Sequence, residues 1–318
     1  MKLGLETESL HLFIQNGKLD IFQLIKKIYE WGLDGIQINV VKKSRGPKWG
    51  SLESLEDEYL GEVKKQLDYY ELYSEVDTNS TDPNHLSKMI KVASKLGADV
   101  VRTFITVDKS VDESLKEAEE NIVNIIPLLK KYQIKLAIEN HEYETSVELI
   151  NLINSIDDEN VGVLCDVGNS MMAWEDPVKA VNTLAPYAFS THFKDHIVVR
   201  DNGDLKVCGV QIGTGSINLE ECFRILIERS NLSRVNIEMC NPYLSSFKRE
   251  EGTGGINDNR NEPFLIKEKP NELKDINSGE LYYPTTKNIE KLLNYQEATA
   301  LESIKYVINL RDMLCSKE

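Results

Sequence analysis

Basic charge is scarce in this chain. Its 318 residues carry 37 Lys and Arg against 52 Asp and Glu, a net charge of −15. Binding to a nucleic-acid backbone rests on neutralising phosphates with Lys and Arg, so DNA and RNA are not expected partners. The same balance disfavours an anionic membrane surface. No apolar run is long enough to span a bilayer, and the start, MKLGLETESL, is already acidic and does not read as a secretory signal. Cysteine is sparse as well. Cys165, Cys208, Cys222, Cys240 and Cys315 are odd in number, scattered and without CxxC spacing. That argues against a disulfide framework and predicts reduced thiols and a cytoplasmic location. There are only five histidines, no low-complexity tract, and no internal repeat beyond an alternation of strand-like and helix-like segments.

What is present is apolar residue in short, regular pieces. Hydrophobic residues make up 41% of the chain, enough for a full core, and no gap resembles a domain linker. The expectation is a single domain over 1–318 with insertions. Strand-like runs fall at 2–5, 35–40, 72–76, 100–105, 135–138, 161–165, 188–192 and 235–238. Several are almost continuously apolar, as buried parallel strands tend to be. The segments between them show helical periodicity. After Asp112, the residues Leu115, Ala118, Ile122, Ile125 and Leu129 recur at steps of three and four. Pro127 interrupts that series and predicts a kink or two pieces. Asp82-Pro83 reads as an N-cap followed by proline at the first helical position, and Gly97 as a C-terminal stop.

Eight strands alternating with helices predict an α/β fold of the (β/α)8 TIM-barrel type, for which about 250 residues is typical. The surplus falls in two insertions. One follows the seventh run, where Asn202-Gly203 between two alternating stretches signals a hairpin. The other, about 241–286, follows the eighth run. It is polar, rich in Gly, Asn, Glu and Pro, and has no clear period, as befits a lid over the barrel mouth or an interface. A last amphipathic helix over 287–313 would close the barrel.

Four of these runs end on a metal-ligand residue: Glu139 in KLAIEN, Asp166 in VGVLCD, His192 in AFSTHFKD and Glu238 in VNIE. In such a barrel the C-terminal strand ends share one mouth, so runs five to eight would bring the four side chains together. Three carboxylates and one imidazole suit Mn²⁺ best, with Mg²⁺, Co²⁺ or Zn²⁺ as alternatives; the lack of thiolate argues against a structural zinc. Two coordination positions left open would let a substrate chelate through adjacent oxygens.

The segments AIENH, CDVGN, THFKDH and NIE resemble the sugar phosphate isomerase/epimerase family with the xylose-isomerase-like TIM barrel, over nearly the whole chain up to Glu238. The resemblance implies that Glu139, Asp166, His192 and Glu238 bind one divalent metal. It also implies that Glu139 and Glu238 flank the reacting carbon from opposite faces, removing and returning a proton through an enediolate next to a polarised carbonyl. Several relatives carry a histidine three residues after the aspartate; here that position is Asn169, which leaves an amide to contact substrate. The E-N-H form and the long insertion after Glu238 look more like the α subunits of C-glycoside deglycosidases and the oxoisoapionate decarboxylases, which act on oxo-sugars by elimination or decarboxylation. That lyase reading implies a small β subunit as partner; a homo-oligomer is expected on either.

His141, two residues beyond Glu139, is a candidate general base or acid if the strand continues, or else a loop histidine. Lys194 shares the face of His192 and either binds a substrate hydroxyl or phosphate, or pairs with Asp195 or Asp166. Arg102, at the end of run four, either holds an anionic substrate group or forms a salt bridge within the mouth. Glu6 and Glu8, after run one, are candidates for sugar hydroxyls. Asn140 is expected to orient a ligand, and the GTGS segment from Gly213 to Ser216 is a weak phosphate-cradle signal. A nuclease of the endonuclease IV type shares the barrel, but it needs several metals and many histidines, and the acidic charge is wrong for DNA. A non-enzymatic binding module is disfavoured because all four ligands are present.

Overall fold

Short apolar runs separated by amphipathic helices can bury both faces only as parallel strands covered by those helices, and this is what the chain builds. The computed structural model describes residues 1–40, 50–239, 241–258, 260–274 and 288–315. The strands are β1 (Lys2–Glu6), β2 (Gly35–Asn39), β3 (Tyr73–Asp77), β4 (Val100–Phe104), β5 (Lys135–Glu139), β6 (Val161–Asp166), β7 (Ala188–His192), a hairpin of β8 (Asp195–Asp201) and β9 (Asp204–Val210), and then β10 (Arg234–Ile237). Outside the hairpin they pair in parallel in the order β10-β1-β2-β3-β4-β5-β6-β7. Phe193, one residue past β7, closes the ring: its N–H donates to Asn236 at 2.8 Å and its carbonyl accepts from Glu238 at 3.1 Å. The fold is a (β/α)8 TIM barrel.

The helices are α1 (His11–Gln15), α2 (Ile21–Glu30), α3 (Asp57–Tyr69), α4 (Pro83–Leu96), α5 (Val111–Val123), α6 (Ile126–Tyr132), α7 (Ser146–Ile156), α8 (Pro177–Leu184), α9 (Leu219–Arg229) and α10 (Ile289–Cys315). Their limits follow local chemistry. Asp82 caps α4 by accepting from the His85 N–H at 2.8 Å, and Gly97 ends it at φ 72°. The periodic segment around Pro127 is in two pieces, α5 and α6, because proline has no N–H to offer the preceding turn; it sits in the first turn of α6 instead. Ser110 and Thr145 form capping boxes with Glu113 and Glu148 at the starts of α5 and α7. No helix among the described residues is long and apolar enough to cross a membrane. Cys165, Cys208, Cys222 and Cys315 are free thiols; Cys240 lies outside the described residues.

Asn202 and Gly203 both adopt positive φ, 53° and 95°, the geometry a two-residue hairpin turn requires. The segment that follows β10 departs from its reading as a stretch without regular structure. Its residues β11 (Leu244–Ser246) and β12 (Ile266–Lys267) flank the hairpin in a second sheet of order β11-β9-β8-β12. Neither Leu-Ser-Ser nor Ile-Lys carries a strand signal of its own; the hairpin's open edges supply the partners. Positions 275–286 of that insertion, and the expected helix start at 287, lie outside the described residues. α10 packs back through the buried Gln296, which accepts from the Leu12 N–H at 3.1 Å and donates to the Asn241 carbonyl at 2.7 Å.

Candidate metal centre

β5, β6 and β7 end on Glu139, Asp166 and His192, and Glu238 follows β10 directly. Because these strands neighbour one another around the closed ring, their last side chains converge. His192 Nδ1 lies 3.0 Å from Glu139 Oε1, 3.1 Å from Glu238 Oε2 and 3.7 Å from Asp166 Oδ2. Each of the four residues offers one ligand atom, all within 4.8 Å of one another. All four side chains are buried. Three buried carboxylates are costly unless charge compensates them, and a set of three oxygens and one imidazole nitrogen suits a divalent ion of the Mn²⁺, Mg²⁺ or Zn²⁺ kind. The residues present therefore fit a metal.

Two side-chain cations share the mouth. The Lys194 ammonium lies 2.7 Å from Asp166 Oδ2 and pairs with Glu238 as well, so of its two readings the ion pair is the one seen, with Asp166 rather than Asp195. Arg102 bridges Asp77 and Glu139 and donates to the Thr78 carbonyl at 3.1 Å. Burial pushes Glu238 upward, but His192 and Lys194 outweigh it and hold this carboxyl well below its ordinary range. Burial pushes His192 down, yet Glu238 and Asp166 carry its pKa up to about 9. A ligating imidazole is neutral, so metal binding here competes with a proton.

The candidate ligands are oriented by a further layer. Asn140, as expected, clamps the backbone of Asp166, accepting from its N–H at 2.8 Å and donating to its carbonyl at 3.0 Å. Asp166 Oδ1 accepts from the Gly168 and Asn169 N–H groups, both at 2.8 Å. A Cβ on Gly168 would meet His196 Nδ1 at 2.6 Å, which accounts for glycine in CDVGN. The Asn169 amide donates to Glu139 Oε1 at 3.1 Å.

Sequence reasoning missed the layer beneath. His192 Nε2 lies 2.5 Å from Gln37 Oε1, and Gln37 Nε2 donates to Glu75 Oε2 at 2.9 Å. Glu75 also accepts from Ser190 at 2.5 Å, Asn236 at 2.9 Å and Arg234 at 2.6 Å. A carboxylate can only accept, so the amide nitrogen of Gln37 faces Glu75 and its oxygen faces His192. That oxygen holds the proton on Nε2 and leaves Nδ1 for ligation. The available signal was a polar residue inside each apolar run: Gln in GIQIN, Glu in YSEVD, Ser in AFSTH and Asn in RVNI. Gln37→Leu is expected to weaken metal affinity roughly 10- to 100-fold and to shift the His192 tautomer in ¹⁵N NMR. An unchanged affinity and tautomer would remove Gln37 from this role.

Glu6 ends β1 and is fully buried; its carboxylate, with those of Glu8 and Glu238, forms a second group within 4.8 Å. Burial and then Asp77 raise the Glu6 pKa well above its ordinary value, and burial and Glu238 raise that of Glu8 to about 7. β5 stops at Glu139, so strand alternation does not place His141. Its ring instead stacks on Phe104 with centroids 3.9 Å apart, and Arg102 lies 4.9 Å from the same phenyl ring. The GTGS segment is not an open cradle. The N–H groups of Gly213, Gly215 and Ile217 bind the Asp195 carboxylate at 3.0, 2.7 and 3.3 Å, and a Cβ on Gly215 would collide with it.

The insertion after β10 lies across the ends of β5 and β6. Tyr243 donates to Glu142, Lys248 pairs with Glu142 at 3.2 Å, and Arg249 pairs with Glu148 at 3.1 Å. Trp174, just beyond β6, stacks on Phe247 and Phe264 with centroids 4.0 and 5.6 Å apart.

Residues 25–254 match the xylose isomerase-like TIM barrel family. The uncharacterized protein YihM of Escherichia coli (strain K12) is 25% identical over 210 residues, covering 65% of this chain and 63% of that protein, so the match spans less than two thirds of the relative. Among solved structures, D-psicose 3-epimerase with D-tagatose from Clostridium cellulolyticum H10 superposes with a TM-score of 0.62 at 13% identity, over 98% of this chain and 99% of that one. The IOLI protein with a binding zinc atom does so with a TM-score of 0.61 at 15% identity, over 96% and 99%. At such identities these two structures speak for the fold alone.

Proposed function

Since the chain belongs to the xylose isomerase-like TIM barrel family, we propose that it is a divalent-metal-dependent enzyme that moves a proton next to the carbonyl of a ketose or oxo-sugar, as a sugar isomerase or epimerase. The observation that carries this reading is the convergence of Glu139, Asp166, His192 and Glu238 at the ends of four neighbouring barrel strands. A D-psicose 3-epimerase with D-tagatose shares the barrel, and the substrate class is part of this proposal.

Glu139, Asp166, His192 and Glu238 would hold the ion, with Mn²⁺ the first choice. A divalent cation in that position supplies Lewis acidity toward a carbonyl oxygen. Glu238 would take the proton from the adjacent carbon on one face and Glu139, in its protonated form, would give its own proton on the other, both carboxyls then resetting by proton exchange with solvent. Lys194, against Asp166 and Glu238, keeps Glu238 ionised and so able to accept a proton. Asn169 and Glu6 face sugar hydroxyls, and Lys194 reaches a hydroxyl or phosphate once substrate enters. Arg102 spends both terminal nitrogens on carboxylates, so its role here is to orient Glu139.

A second reading rests on His141, held on the rim by Phe104, and on the insertion lying over the β5 and β6 ends. With His141 as acid or base, the same mouth would break a bond beside the carbonyl of a 3-oxo-sugar, by elimination or decarboxylation. A small β subunit would then dock near the insertion, which otherwise serves a homo-oligomer.

The test is incubation of the Mn²⁺-loaded protein in D2O with ketoses and 3-oxo-sugars, followed by NMR and mass spectrometry. Deuterium beside the carbonyl of an isomeric product is expected, and a chelator should abolish its uptake. A smaller product with released aglycone or CO2 would select the lyase. Full turnover in chelator would overturn metal dependence.

A further inference from the structure

Carboxyl groups in the barrel mouth outnumber the cations that face them. Six carboxylates gather there: Glu6, Glu8, Asp77, Glu139, Asp166 and Glu238. Five are buried and Glu8 is partly so. Arg102 and Lys194 return two positive charges, and an ion on the four strand-end ligands returns two more. Two carboxyls are left over in a site of low dielectric, where unpaired charge is strongly unfavourable, and either a proton or a further cation neutralises them.

Three of these acids form a separate grouping. Glu6, Glu8 and Glu238 each present an oxygen within 4.8 Å of the others. Two further buried oxygens sit beside them. Asn39, 2% exposed, donates through Nδ2 to Glu8 Oε2 at 3.4 Å, and its Oδ1 has no hydrogen-bond partner among the described residues. Asp77, 1% exposed, gives Oδ1 to Arg102, while its Oδ2 likewise has no hydrogen-bond partner. Of the neighbouring charges, that of Asp77 weighs most on Glu6. Buried acceptors are ordinarily satisfied. Carboxyl oxygens facing one another are satisfied by shared protons or by a cation that displaces them.

We propose that a second divalent cation binds in this mouth, held by Glu6, Glu8 and Glu238, with Asp77 and Asn39 as neighbouring acceptors. Glu238 would then be shared by both ions. The donor set is all oxygen, so this position takes a hard ion such as Mg²⁺ or Mn²⁺, whereas the strand-end position, with its imidazole, also accepts Zn²⁺. The inference rests on the proposed first metal centre and extends it by one ion.

The experiment is Mn²⁺ titration of the chelator-treated full-length protein, followed by calorimetry and by EPR at low temperature. Two equivalents per chain are expected, with spectral lines of two coupled ions. Glu6→Gln and Glu8→Gln, made separately, are expected to lose one equivalent and the coupling while keeping the other. A single equivalent in the wild type, unchanged in both variants, would overturn the second cation and leave the first centre standing. No bound Mn²⁺ at all would overturn both.

Discussion

Glu238→Gln is expected to lower the rate of solvent deuterium uptake into substrate by at least about 10²-fold, the smaller end of what a positioned base contributes. Glutamine keeps the shape of the side chain but can neither accept the proton nor carry the charge that draws Lys194 and His192 toward it. The fold should persist, because Lys194 keeps Asp166 as a partner. Thermal unfolding of the chelator-treated variant should stay cooperative but fall somewhat below that of the wild type, since the carboxylate that His192 and Lys194 stabilise is gone. Metal content measured on the same sample separates two causes. Exchange lost with metal retained marks Glu238 as the base; exchange and metal lost together mark it first as a ligand. Wild-type uptake would remove Glu238 from the chemistry.

The largest effect on stability is expected at Arg102. Its guanidinium is buried between Asp77 and Glu139, and Arg102→Leu strands both carboxylates without their cation. Removing one partner of a buried pair typically costs about 3–5 kcal/mol. Denaturant unfolding in the presence of chelator should show a loss of that order. Saturating Mn²⁺ should recover part of it, since an ion that binds only the folded state stabilises by mass action and would neutralise Glu139 in place of the lost arginine. Equal stability of variant and wild type in chelator would mean that Arg102 does not hold the mouth together.

Much of this architecture is legible along the chain. The eight barrel strands fall within a residue or so of the apolar runs, because a strand buried on both faces must be apolar nearly throughout. The capping of α4 by Asp82 and Gly97, the break at Pro127 and the Asn202-Gly203 turn follow from chemistry confined to a few neighbouring residues. Glu139, Asp166, His192 and Glu238 could be named because a barrel rule turns position at a strand end into position in the mouth. β11 and β12 escaped notice because their pairing partners, rather than their own residues, make them strands.

The side chains that surround the candidate ligands were settled otherwise. Gln37 meets His192 across 155 positions of chain, and Glu75 meets Asn236 across 161. No local period encodes such a pairing, and many polar residues of equal chemistry compete for it. Lys194 had two acids within reach in the sequence. In the folded chain Asp195 turns to the N–H groups of Gly213 and Gly215, while Lys194 turns to Asp166 and Glu238. Strand periodicity and end residues thus specify the barrel and its four candidate ligands, because they are local. Which charge faces which is specified only when the ring closes and brings distant strands to hydrogen-bonding distance.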